Sequence, residues 1–279
     1  IMGSSFRPHP LHFEKGIVPR PLPYHFYRKR SSLAKADEYW IESIAAVLSR
    51  GFANLLESVS SVATYSLPNY KTEFRTPQEI ARNVRSAWSL GDGPIKDLGL
   101  VIERSGVWVV PLHGAPDEFD AMAVSGHNGA PHFILFNPEM PNDRVRFNLA
   151  HELGHLVMHW DYNEDCESEA NQFAAEFLMP EETILPVLRD IDLRKALQLK
   201  SVWGCSMASL IYRAKALSCI TKSRYKSLYV MMSRKGYRKK EPGDSPESSA
   251  SIFDDIVQCH LDMGYTREEV GDLFGLDPA

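Results

Sequence analysis

Cysteine is scarce in this chain of 279 residues: Cys166, Cys205, Cys219 and Cys259 are the four present, and no two stand in a CxxC pair. That spacing suggests neither a disulfide framework nor a cysteine-ligated zinc site, and it fits a reducing, cytoplasmic setting. Long apolar runs are missing as well. Nothing in the sequence approaches the ~18 apolar residues of a membrane span, and the N-terminal residues lack the basic region and apolar core of a secretory signal. No membrane association is expected. A surplus of positive charge is also absent: the formal net charge of -5 argues against a protein that coats nucleic acid along its whole surface, while leaving local basic patches open. No internal repeat is visible.

Hydrophobic residues make up 44% of the chain, enough for a sizeable core, and the length suggests one compact domain with flanking helical parts or two domains. The chemistry is concentrated in His151-Glu152-Leu153-Gly154-His155, an HExxH sequence, with Glu167 twelve residues after its second histidine. Asn142 and Asp143 after Pro141 read as a helix start, and Val145, Leu149, Leu153, Leu156 and Val157 recur at helical spacing. On such a helix, positions i and i+4 share a face. His151 and His155 can then grip one metal ion with Glu152 beside it, which is the arrangement of zinc hydrolases.

Around this helix the sequence divides as follows. Residues 1–30 carry Pro8, Pro10, Pro19, Pro21 and Pro23 and are expected to form an extended arm or linker. A long helix or a broken pair is expected over about 33–66. Thr76-Pro77-Gln78-Glu79 is a capping box with proline in the first turn, and a short helix to about Arg104 follows that one. Three strands come next, Val107 to Leu112, Asp120 to Val124 and His132 to Asn137. After the HExxH helix everything reads helical: 166–178, 181–190, 192–201, 206–217 and 221–233, then a polar linker over 241–250 and a final pair near 250–263 and 266–274. The domain limits expected are 31–190 for the catalytic domain, 191–240 for a helical extension with a helix-turn-helix-like pair, and 251–279 for a C-terminal helical segment.

A catalytic zinc takes three protein ligands and leaves a fourth position open, so HExxH requires one more donor. Glu167 is the choice, with Glu164, Asp165 and Glu169 competing by proximity in sequence. His159 prolongs the histidine stripe, but a straight helix rises ~5.4 Å per turn and would place it two turns from His151, too far to share one ion. It reads as a supporting or solvent-facing histidine. Asn171, one turn after Glu167, is a candidate for orienting that carboxylate. The strand His132 to Asn137 is a candidate edge for pairing with an extended peptide. His159, Tyr162 and His132 are candidates, without preference, for stabilising a tetrahedral oxyanion.

His151 to Val157 followed by Glu167-Ser168-Glu169-Ala170-Asn171-Gln172-Phe173-Ala174-Ala175-Glu176-Phe177-Leu178-Met179-Pro180 closely resembles the ImmA/IrrE family of metallopeptidases. The family pattern HExxH…ExxxN…FA…LMP is matched at each point, and the likeness extends over about 76–188. Residues 203–214 and 228–242 are similar to the longer members, which are commonly fused behind an Xre-type helix-turn-helix. The resemblance implies an α+β, zincin-like domain with a small three-stranded sheet packed on the HExxH helix and a helical C-terminal extension. It implies Glu167, not Glu169, as the third ligand beside His151 and His155, with Glu152 as the catalytic residue and Zn2+, or alternatively Mn2+, as the metal. It also implies a regulatory endopeptidase whose protein substrate is an Xre-type repressor, cut in a stress or mobile-element response.

A reading from a different class is a metal- or ligand-sensing transcription regulator, in which the peptidase-like domain controls DNA binding. Lys195 to Leu217 offers helix, Gly204 turn and helix, and Arg234-Lys235-Gly236-Tyr237-Arg238-Lys239-Lys240 is a basic run with an aromatic inside. Both patterns also occur in ordinary helical domains and solvated helix ends, so DNA binding is not the favoured expectation.

Overall fold

The computed structural model describes residues 25–29, 33–58, 63–70, 72, 75–126, 129–159, 164–246, 248 and 251–274. Its elements run β1 (His25–Lys29), α1 (Lys35–Ser58), α2 (Pro77–Ala87), α3 (Leu98–Glu103), β2 (Trp108–Pro111), β3 (Phe119–Val124), β4 (Phe133–Phe136), α4 (Asn142–Met158), α5 (Cys166–Leu178), α6 (Glu181–Leu188), α7 (Leu193–Trp203), α8 (Met207–Ala216), α9 (Lys222–Arg234), α10 (Ile252–Asp262) and α11 (Arg267–Asp272). Helices joined by a small mixed sheet make this an α+β fold, consistent with the zincin-like class. The chain divides into two compact units: residues 1–67, 100–139 and 250–279 in one, and residues 68–99 and 140–249 in the other. Both are discontinuous in sequence. The C-terminal pair α10 and α11, expected as a terminal segment of its own, thus shares a unit with the sheet.

The first unit holds the sheet, in the order β1-β3-β4-β2. The three expected strands are present, and β1, inside the stretch read as an extended arm, adds a fourth by pairing antiparallel with β3 from His25 opposite Val124. The rest of that arm lies outside the described residues. β4 pairs antiparallel with β3 and parallel with β2. It is therefore an internal strand, and its main chain is occupied on both sides. The expectation that His132 to Asn137 offers a free edge to a peptide is corrected on this ground, since a strand needs an unpaired side to accept another.

β2, β3 and β4 are almost fully buried because their residues are apolar on both faces. Phe52 of α1 sits in the centre of this core, its ring 4.5 Å from Trp108, 5.2 Å from Phe133 and 6.1 Å from Phe274. Gly51 beside it is required by close approach, since a Cβ there would fall 1.9 Å from the Phe274 ring. Ile256, Val270 and Phe274 bring α10 and α11 into the same core.

In the second unit the capping box at Thr76 starts α2 as expected, with the Thr76 hydroxyl accepting from Glu79 N–H and the Glu79 carboxylate accepting from Thr76 N–H. α2 and α4 both pack on α5. Arg85 of α2 donates to the carbonyls of Phe177, Gly91 and Gly93, which satisfies the C-terminal end of α5 and closes the turn after α2. Glu176, fully buried on α5, lies between Arg82 and Arg213 and ties α2 and α8 to the same helix. The buried Arg146 of α4 donates to the carbonyls of Ile95 and Lys96. Its guanidinium lies against Gly204, where a Cβ would meet Nε at 2.3 Å and where φ is +64°. A glycine is needed there for both reasons.

Candidate metal centre

α4 is buried nearly all round, including the polar side chains His151, Glu152 and His155. Burying such groups is costly unless they are used or paired. Gly154, between the two ligand histidines, faces α5. A Cβ at Gly154 would stand 3.0 Å from Phe173 Cδ1, so the two helices meet here as closely as glycine permits. That approach is what carries Glu167, in the first turn of α5, over the histidine face of α4.

His155 Nε2 lies 3.1 Å from His151 Nε2. Glu167 Oε1 is 3.3 Å from His155 Nε2, and its Oε2 is 3.5 Å from His151 Nε2. Four ligands set tetrahedrally at ~2.1 Å from zinc stand ~3.4 Å apart, so these separations match the edges of a zinc tetrahedron. Among the described residues, His151, His155 and Glu167 form a group with all three donor atoms within 4.8 Å of one another. Charge fits as well. The two histidine contacts hold the Glu167 carboxyl well below the usual carboxylate range, and burial keeps His155 below the ordinary histidine value and so neutral. Two histidines and a carboxylate are a donor set of catalytic zinc, with a fourth position left open. Glu152, one residue after His151, is fully buried beside this cluster on the same helix.

His159 takes the supporting place expected of it, outside the donor group, but not from a straight helix. α4 ends at Met158, and His159 is the C-cap in extended backbone, φ -111° and ψ 117°. Its ring therefore folds back behind the ligands. His159 Nδ1 is 2.9 Å from His155 Nδ1, and His159 Nε2 is 2.9 Å from Glu169 Oε2. If His155 Nε2 faces the metal, Nδ1 carries the proton and donates to His159 Nδ1, whose Nε2–H then donates to Glu169. Every tautomer in this line is fixed by its neighbours. His151 has no such support: its Nδ1 is buried without a hydrogen-bond partner among the described residues.

Glu164 and Asp165, which competed for the third ligand by proximity, are exposed and outside the donor group. Glu169 serves His159 instead. Asn171 donates to the main-chain carbonyl of Glu167 at 2.7 Å, not to its carboxylate, so it braces the first turn of α5. Tyr162 lies outside the described residues. His132 belongs to the sheet-bearing unit, where its Nδ1 accepts from Gly126 N–H and burial holds it below the ordinary histidine value. Sequence reasoning missed the pairing of His159 with Glu169 and the contact of Gly154 with Phe173. The i+4 step from His155 to His159 was the available signal for the first.

Among the described residues no helix is long and apolar enough to cross a membrane. No curated protein matches the chain. A family model does match, that of the Peptidase_M78 family, described as the IrrE N-terminal-like domain, over residues 102–215. This span holds His151, Glu152, His155 and Glu167, and the chain accordingly carries an IrrE N-terminal-like domain of a peptidase family.

Proposed function

We propose that this chain is a zinc-dependent regulatory endopeptidase of the cytoplasm, and that its substrate is a helix-turn-helix repressor of the Xre type. His151, His155 and Glu167 hold the ion, with manganese as the alternative metal. When bound, the metal polarises the scissile carbonyl and increases the acidity of the attacking water. Glu152, buried on the same helix, accepts the proton released by that water and delivers it to the leaving amine. Glu169 and His159 hold the imidazole of His155 in the tautomer that binds metal. The observation that carries this reading is the convergence of three donor atoms at zinc spacing beside a buried glutamate. The resemblance to ImmA/IrrE peptidases supports the substrate class.

New protein N-termini in cells making the wild type or the Glu152→Gln variant, with and without stress, test it. A terminus inside a helix-turn-helix repressor, seen only with the wild type, is expected. Identical sets of termini under every condition would refute the peptidase reading. The regulator reading gains nothing from the helix, turn and helix around Gly204, because that glycine is accounted for by its contact with Arg146.

A further inference from the structure

Charge is not spread evenly along the chain. Residues 193–240 hold thirteen of the 31 lysines and arginines and no aspartate or glutamate. The remaining 18 basic residues and all 36 acidic ones lie elsewhere, so a block of +13 faces a remainder of -18 within a total of -5. Two of the thirteen are spent inside the fold: Lys200 between Asp143 and Glu241, and Arg213 on Glu176. Nine others are exposed, Arg194 on α7 and the rest on α9 and the segment after it, and none of these nine is ion-paired among the described residues.

One helix of this block departs from a rule that most of the others keep. α1, α2, α4, α5, α6, α10 and α11 all carry acidic residues in the first turn, where the helix dipole favours them. α7 and α8 have none inside the helix but are served by carboxylates from outside it, Asp192 as the N-cap of α7 and Glu241 accepting from Met207 N–H and Ala208 N–H of α8, whereas α9 has none and places Lys222 and Arg224 there instead. A merely solvated surface mixes both signs and gains stability by doing so. Departure from local preference, here in α9 within a block that holds no acidic residue, is a mark of a functional surface.

Aromatic rings are interleaved with the cations. Tyr212 on α8 is 54% exposed, its ring 6.5 Å from Tyr225, which is 4.5 Å from Tyr229. Lys215 stands over Tyr225 at 5.0 Å, and Arg238 over Tyr229 at 5.6 Å. Rings flanked by cations match the two chemical needs of a nucleic-acid strand with unpaired bases, charge for the phosphates and flat faces for stacking, and the carboxylate near Tyr229, that of Glu241, is engaged by Lys200 and the N-terminus of α8. α9 alone is about 20 Å long, enough to follow several nucleotides.

We propose that the face formed by α8, α9 and residues 235–240 binds single-stranded nucleic acid. Carboxylates on a second copy offer the same sign of charge, but no bases to stack on the tyrosines.

The test is fluorescence anisotropy of a labelled single strand of about 20 nucleotides with the full chain, between about 50 and 200 mM salt, beside the duplex of the same sequence. Binding that weakens linearly in log–log salt plots and prefers the single strand is expected. Replacing Lys235, Arg238 and Lys239 together by glutamine should weaken it at least ~10-fold and make the salt slope shallower by about 2. Tyr212→Ala should weaken binding about 10-fold with the slope unchanged, and Lys35→Gln, outside the block, should have no effect. Circular dichroism and metal content of each variant establish that the fold is retained. The proposal is overturned by no binding at the lowest salt, by a triple variant that binds like the wild type, by equal affinity for the duplex, or by a silent Tyr212→Ala. Binding to phosphatidylserine vesicles, or salt-sensitive self-association, without oligonucleotide binding would overturn it equally.

Discussion

The two histidines of the HExxH sequence are not equivalent. His155 leans on His159 and, through it, on Glu169, whereas His151 Nδ1 has no partner among the described residues. Support of this kind changes metal affinity by roughly 10–100-fold in known sites. His159→Ala should therefore bind zinc about 10–100-fold more weakly while still reaching full occupancy at high metal, as read by competition with a chelator. Unchanged affinity would mean that the line from His155 to Glu169 is packing only. At this scale the sequence was most readable where chemistry fixes spacing. His151 and His155 share a face of α4 because HExxH dictates it, while Glu167, singled out from its neighbours by the family resemblance, joins them from α5. The partner of His159 was not readable, because it depends on the backbone turning at Met158, which the histidine stripe itself does not encode.

Two elements carry consequences beyond their own residues. Gly154 sets the distance between α4 and α5, and a methyl group there must push Phe173 back by a few tenths of an ångström. Gly154→Ala is expected to raise the helix propensity of α4 yet lower metal affinity, by displacing Glu167 from the histidines. Equal or tighter zinc binding in that variant would contradict this role of the glycine. At the start of α10, Glu103 accepts from the N–H groups of Ser251 and Ile252. Burial nevertheless pushes its carboxyl up to about 7, from an ordinary value of 4.5. A raised carboxyl pKa means that the folded state binds the proton more tightly than the unfolded state. Its contribution is then complete below about 4.5 and lost as the pH rises through about 7. The wild type should lose stability across that window, on the order of 2 kcal/mol, relative to Glu103→Gln. Denaturant midpoints of both proteins over this range measure the difference, and parallel curves would refute it. Helices were legible to within a few residues, from caps such as Thr76 and from apolar spacing. The strand β1 was not, because proline-rich sequence signals extension without naming a partner.

Across the whole molecule, strand order and the grouping of segments were the least legible features. β4 has the same apolar character whether it is an edge or an inner strand, and only the positions of β2 and β3 on either side decide it. Likewise α10 and α11 follow a polar linker yet share the core around Phe52, a non-local choice that pattern along the chain does not express. The uneven charge of residues 193–240 was open to counting, but a seven-residue basic run by itself reads as a solvated helix end. It is the fold that gives the run meaning, by placing Arg238 over the half-buried Tyr229 in a row of rings that leads to the exposed Tyr212.

The central claim is a single metal centre built from α4 and α5. Zinc stoichiometry of metal-stripped wild type, Glu152→Gln and Glu167→Ala, titrated side by side, tests it most directly. One zinc per chain is expected for the wild type and for Glu152→Gln, with binding by Glu167→Ala lost or greatly weakened. Full, tight occupancy in Glu167→Ala, or none in the wild type, would contradict the account.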